Sequence, residues 1–489
     1  MDMAETITST PVPPLGAPVR PSTLEAPPTH TDDPGPRRPL AAVLAAVGIP
    51  MFMVTLDNLV VTTALPVIRA ELNASLGDLQ WFVNAYTLSF ASLLLTASTL
   101  GDRMGRRRIF TAGIALFTLA SAACALATDP TMLVVARAIQ GFGAAAVMPL
   151  SLTLLTDAVP RRLRSAAIGI WGGVSGLGVA LGPLLGGAVV DGLSWQWIFW
   201  VNVPIGLLVL PLVVWALRDV RGGGRQLDPL GLVSASGGVL AVVWGIVHGA
   251  EDGWTSRGVL TALIGGAVLL AALIGWESRT ATPMLPMRLF RIRAFGVANV
   301  VAFAFSVGVF GSIFLLAQFF QVVQGYSPFE SGVRTMPWTM APMVVAPLAG
   351  LVIDRVGARV LLVSGQVLLA VGLAWMAAIT TTDIGYGSFV VPMLLAGTGM
   401  GLTFAPLATV VMASAPEEDR SIASGTNNTV REVGVAMGIA VLTSVFVSYG
   451  GYTDPQGYVE GLVPAVWVGA AIVATAALVS LLIPGRRAA

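Results

Sequence analysis

The sequence predicts an all-α polytopic membrane protein: two six-helix bundles plus two extra central transmembrane helices, fourteen in total. Three observations predict it. Of 489 residues, 55% are hydrophobic and only 11% are charged, against about 25% charged in an ordinary soluble domain. Apolar stretches long enough to cross a bilayer, roughly 20 residues each, recur from residue 39 almost to the C-terminus. The arginines between them concentrate in alternate loops.

A soluble chain of this length would divide into domains joined by polar linkers. Here the apolar runs continue, so lipid must be the solvent. They lie at about 39–66, 79–101, 107–127, 130–156, 163–190, 195–217, 228–249, 257–277, 294–323, 330–353, 358–381, 386–414, 421–447 and 460–484. Backbone amides in hydrocarbon must be satisfied within their own segment, and the alternating pattern of a membrane barrel is absent, so these segments are helices. Residues 1–38, rich in Pro, Thr and Asp, are expected to form a disordered cytoplasmic tail.

An even number of spans puts both termini on one side, and the arginines say which. Arg37 and Arg38 precede the first span, Arg103, Arg106, Arg107 and Arg108 follow the second, and Arg161, Arg162 and Arg164 follow the fourth. Arg218, Arg221, Arg355, Arg359 and Arg420 continue the pattern, whereas the opposite loops carry only Arg69, Arg257 and Arg334. Both termini are therefore expected to face the cytoplasm. The loop after the second span reads GDRMGRRR and the loop after the tenth reads IDRVGARV, an internal repeat that implies two similar halves. The copies lie two helices further apart than two six-helix halves allow. The expected division is therefore a bundle at 39–217, an extra hairpin at 228–277 and a second bundle at 294–484.

Several function classes are excluded. A net charge of +1 gives no basic face for nucleic acid. The single cysteine, Cys124, precludes intrachain disulfides and cysteine-cluster metal sites, and His30 and His248 are too far apart in sequence to suggest a metal pair. No phosphate-binding GxxxxGK[ST], no HExxH and no soluble domain of useful size is present. The chain is therefore read as a transporter and not an enzyme, with no cofactor or metal, driven by an ion gradient.

At its motifs the chain resembles the major facilitator superfamily, and within it the fourteen-helix drug:proton antiporters, from residue 39 onward. STLGDRMGRRR (Ser98–Arg108) is similar to the superfamily's signature between helices 2 and 3, a cytoplasmic gate. Asp102, Arg103, Gly105 and Arg106 are assigned to that gate with Asp157, and Asp354 and Arg355 are the counterparts in the second half. Asp102 is expected against the start of the helix near Ser421, and Arg106 is expected to pair with Asp157. The alternative is that these arginines only anchor topology.

In the fifth span, GVSGLGVALGPLLGG looks like the antiporter signature, carried by Gly178, Gly182, Pro183, Gly186 and Gly187. Small residues at this spacing permit close helix approach, and a proline removes a backbone hydrogen bond, which predicts a kinked contact sealing the two halves. LDNLVVTTALP resembles the family's first-helix signature, and a carboxylate inside a span places Asp57 toward the bundle interior or a water-filled cavity. ARAIQGFGAA resembles the motif whose arginine serves proton transfer, here Arg137. Counting from the outer helix ends at about 1.5 Å per residue, Asp57 and Arg137 reach similar depth. They are read as a proton-coupling pair, the alternative being a static ion pair. Arg431 and Glu432, in NNTVREVGVAMG, form a second candidate coupling site. SWQWIFWVNVPIG resembles the sixth-helix start, its aromatics forming an interfacial belt.

The resemblance implies a proton-coupled exporter of small hydrophobic or cationic drugs or natural products in the bacterial inner membrane, acting as a monomer on an amphipathic substrate and protons. The alternative is a dedicated exporter of one endogenous metabolite, antibiotic or lipid. Gln140, Phe310, Phe314, Trp338 and Met340 are the candidate substrate contacts.

Overall fold

The computed structural model describes residues 39–489 except 222–227, 281, 282, 284, 453 and 486–489. The expected tail at 1–38 and the terminal Arg486 and Arg487 lie outside the described residues. Regular structure among the described residues is helical. The helices are α1 (Leu40–Leu72), α2 (Leu76–Met104), α3 (Arg106–Ala125), α4 (Pro130–Ala158), α5 (Arg164–Gly192), α6 (Trp197–Trp200), α7 (Asn202–Ala216) and α8 (Pro229–Asp252). They continue with α9 (Arg257–Glu277), α10 (Arg288–Arg291), α11 (Arg293–Val322), α12 (Pro328–Val356), α13 (Ala358–Ile379), α14 (Gly387–Ser414), α15 (Arg420–Tyr449) and α16 (Pro455–Ser480).

Thirteen stretches among the described residues are long and apolar enough to cross a membrane, with α6 and α7 together making one of them. To these α5 adds another 29-residue helix, charged only at Arg164 and Asp191 near its ends. Helix starts follow local chemistry. Asp129-Pro130, Asp228-Pro229, Ser327-Pro328 and Asp454-Pro455 each open a helix, the Asp or Ser side chain accepting a first-turn amide hydrogen. Proline at the first helical position loses an amide that would have had no partner there.

Helices α1 to α7 pack on one another, with α4 against α2 and α3 and α5 against α1. Helices α11 to α16 do the same, α11 packing on α15 and α16 and α13 on α14 and α16. The two sets meet along two seams, α5 against α12 and α2 against α15. The intervening α8 and α9 form a hairpin, and α8 lies on both α2 and α15. A hydrogen bond between Thr96 and Ser236 (2.8 Å) ties α8 to α2, and one from the Trp254 indole to Ser444 (3.1 Å) ties the hairpin to α15.

The α5–α12 seam is close because of where prolines fall. Helix α12 contains Pro337, Pro342 and Pro347, and a proline leaves the carbonyl four residues earlier without its helical partner. The carbonyl freed by Pro347 is that of Met343, which faces Gly173 of α5, where an added methyl carbon would lie 3.0 Å from the oxygen. The carbonyl freed by Pro342 is that of Trp338, and it lies against Gly397 of α14. Each freed oxygen is thus covered by a glycine of the neighbouring helix.

Candidate functional site

A polar cluster is buried where α1, α2, α3, α4 and α7 converge. Asp57 of α1 and Arg137 of α4 have fully buried side chains and form an ion pair of 2.6 Å between Oδ2 and Nη1. The same Nη1 donates to Gln140 Oε1 at 2.6 Å, and Gln140 Nε2 donates to Asp57 Oδ1 at 2.9 Å and to Ser121 Oγ at 2.8 Å. Asn202, the first residue of α7, donates to Asp57 Oδ1 at 3.0 Å. Arg137 Nε donates to the Phe82 carbonyl at 3.0 Å, and its guanidinium lies 4.2 Å from the centre of the Tyr86 ring. One carboxylate therefore gathers donors from α4 and α7, and one guanidinium gathers acceptors from α1, α2 and α4.

The second charged group lies on the face that carries the arginines. Arg106 is 2% exposed and bridges Asp102 and Asp157, each at 2.7 Å, while its Nη2 donates to the Glu417 carbonyl of the other helix set. Arg420 reaches back to Asp157 at 3.8 Å and to Glu417 at 3.1 Å. Arg288 pairs with the fully buried Asp419 at 2.7 Å. The loop from Glu417 to Arg420 is thus held to the first helix set by the buried Arg106 guanidinium together with the Arg420–Asp157 and Arg161–Glu417 pairs. Replacing Arg106 by Met strips that bridge from two carboxylates, and the cost expected for breaking a buried pair is about 3–5 kcal/mol. Thermal unfolding in detergent measures it. Arg106→Lys is expected to recover only part of the loss, because an ammonium does not bridge two carboxylates as a fork does.

Other sequence expectations fare differently. Arg103 and Arg355 are exposed, and Asp354, the counterpart in the second half, accepts a hydrogen bond from Ser165 of α5 at 3.3 Å. Asp102 accepts from Arg106, and Gly105 makes the turn between α2 and α3 with φ of 112°. Gly178 does not face the second helix set: it packs on Thr55 of α1, and among the described glycines of α5 those that meet α12 are Gly169, Gly172, Gly173 and Gly176. Gly182 and Gly186 are buried, and Pro183 and Gly187 lie outside the described side chains. Arg431 and Glu432 do not pair with each other, as neighbours on a helix diverge by about 100°. Of the expected aromatic belt, Trp195 is fully buried and donates to Glu71 at 2.8 Å, while Trp197 is exposed.

The expected substrate contacts lie in several different surroundings. Gln140 spends both amide groups inside the ion-pair cluster. Trp338 is 1% exposed in the apolar core of the second helix set, Phe310 packs against that core, Phe314 is exposed on the outside, and Met340 is half-buried in α12. None of the five lines the water-sized cavity between the helix sets, which is bounded by Leu152, Trp171, Phe404, Asn427, Asn428 and Arg431 among others. Sequence reasoning also missed Ser121, Tyr86 and Asn202. Each is a polar residue within a span, a signal that marks buried hydrogen-bonding positions.

A many-helix apolar fold with buried charge at the centre of one helix set defines a membrane transporter. Residues 47–439 match the Major Facilitator Superfamily. The chain belongs to that superfamily and is a multi-pass transporter, not an enzyme. It is 37% identical over 408 residues to the multidrug resistance protein Stp of Mycobacterium tuberculosis, covering 83% of this chain and 76% of that one. It is 35% identical over 439 residues to the tetracenomycin C resistance and export protein of Streptomyces glaucescens, covering 89% and 81%. In fold it is similar to the solved proton:xylose symporter XylE, with a TM-score of 0.62 and 15% identity over 91% of this chain and 96% of that one.

Proposed function

We propose that this protein is a proton-coupled antiporter that exports small hydrophobic or cationic drugs or natural products across the bacterial inner membrane by alternating access. The observation that carries the reading is the Asp57–Arg137 pair, fully buried and built from separate helices. A proton arriving at Asp57 neutralises it, removes its attraction for Arg137 and frees the hydrogen bonds from Gln140 and Asn202. The helices tied together at that point then prefer a different packing, and binding energy for a proton becomes a population shift between two facing states. Glu432, which is half-buried in α15, is a second acid for the same cycle.

The grouping of the arginines supports a cytoplasmic position for their face and for both termini. The Arg106 cluster and the α5–α12 seam then close the cytoplasmic side. On this reading Asp102, Arg106 and Asp157 are the gate. A single chain is proposed as the working unit. The names of the two relatives, a multidrug resistance protein and a resistance and export protein, support outward transport. The second also favours an alternative, export of one endogenous product.

Everted membrane vesicles test the coupling. Energised vesicles are expected to accumulate a hydrophobic dye and to release it when a protonophore is added, and accumulation that survives the protonophore overturns proton coupling.

A further inference from the structure

The water-sized cavity between the two helix sets holds an unusual group. Arg431 of α15 lines it and is 8% exposed, and its Nε has no hydrogen-bond partner. No carboxylate lies within 4.0 Å of its guanidinium among the described residues, and the acid whose charge it feels is its chain neighbour Glu432, which does not reach it in an ion pair. Its guanidinium lies 4.4 Å from the centre of the Phe404 ring on α14. A cation over an aromatic face recovers only part of the hydration lost on burial, and a buried charge ordinarily has a counter-ion. Arg137 illustrates the ordinary case, carrying a carboxylate, an amide oxygen and a carbonyl besides its ring contact.

The surroundings of Arg431 suit an amphipathic anion. Asn427 and Asn428 border the cavity; Asn428 turns its amide nitrogen to the Ser424 carbonyl at 2.9 Å and the Ser424 hydroxyl at 3.5 Å, whereas Asn427 donates to Asn299 at 3.2 Å and keeps a second amide hydrogen to donate. Trp171 from α5 and Phe404 from α14 contribute aromatic lining, one from each helix set. The space is too small for a drug with the sets closed together.

We propose that Arg431 is the anchor for an acidic group on the exported molecule, so that the preferred substrates are aromatic amphipaths bearing a carboxylate or an ionised phenol. The proposal rests on the export reading and narrows its substrate class from hydrophobic or cationic molecules to anionic ones. It assigns Arg431 to substrate and leaves coupling to Asp57 and Arg137.

Two xanthene dyes of similar size and opposite charge, fluorescein and rhodamine 6G, provide the test. Purified protein in detergent is expected to bind fluorescein at least about tenfold more tightly than rhodamine 6G, the scale of one hydrogen-bonded charge. Arg431→Gln is expected to weaken fluorescein binding by about 10- to 100-fold with rhodamine 6G binding unchanged, and Arg431→Lys to recover most of it. Equal binding of the two dyes, a preference for rhodamine 6G, or undiminished fluorescein binding in Arg431→Gln overturns the proposal. If Arg431→Gln does not fold, the comparison of dyes on the wild type still decides. Energised vesicles separate the two readings. Arg431-dependent binding without accumulation of fluorescein leaves the anion site standing and defeats export, whereas accumulation of rhodamine 6G alone defeats the anion site and leaves export standing.

Discussion

Asp57→Asn is expected to abolish uphill transport, lowering its rate about 100-fold, the upper range of a coupling free energy between two sites. The same change leaves Arg137 fully buried with no carboxylate, and removing one member of such a pair costs about 3–5 kcal/mol. Arg137→Gln is expected to be destabilising for the complementary reason. The double variant Asp57→Asn/Arg137→Gln removes both charges, so its thermal unfolding in detergent should recover toward wild type while its transport in proteoliposomes stays lost. A double variant as unstable as either single one shows that the pair is not an electrostatic unit. A double variant that concentrates substrate shows that coupling lies elsewhere, with Glu432 the next acid to replace.

Gly350→Leu is expected to force the α5–α12 seam apart. A carbon added at Gly350 lies against the Ser165 carbonyl and 3.0 Å from the Gly169 Cα, both backbone atoms that cannot turn aside. Overpacking of this kind costs about 1–3 kcal/mol, and it falls only on the state in which the seam is closed, so the balance between states moves about 5- to 150-fold. Ser165 and Asp354 touch across the seam at 3.3 Å, so a Ser165→Cys/Asp354→Cys pair reports closure through oxidative cross-linking. Cross-linking should fall at least about fivefold with Gly350→Leu. It should be unchanged with Gly265→Leu on α9, where nothing lies within 4 Å of the added carbon. Equal cross-linking in both variants refutes the assignment of Gly350 to the closing contact.

Much of the architecture was legible because the hydrocarbon solvent imposes length and polarity rules on each segment separately. The positions of the spans, the grouping of arginines and the equal depth of Asp57 and Arg137 all depend on one-dimensional counting. What counting does not supply is azimuth, the direction in which a residue leaves its helix. Gly178 belongs to the glycine run used to predict contact between halves, yet it points to α1, and Gly169, Gly173 and Gly176 point to α12. The candidate substrate residues are scattered for the same reason. Trp338 and Phe314 have the right chemistry, but one points into the core and the other out of it. Asn202 was hidden differently. It lies within an aromatic motif, and only the folded structure brings it beside Asp57 of α1, 145 residues away in sequence.

The hairpin of α8 and α9 has a bearing on how motion is allowed. It fastens to α2 through Ser236 and to α15 through Trp254, so one margin is stapled, while among the described residues no such hairpin spans the margin formed by α5 and α12. A body held along one margin opens like a book. Its pages part most along the free edge, so a lipid-dissolved molecule approaching from the side would find a doorway on the α5–α12 edge and a spine on the other.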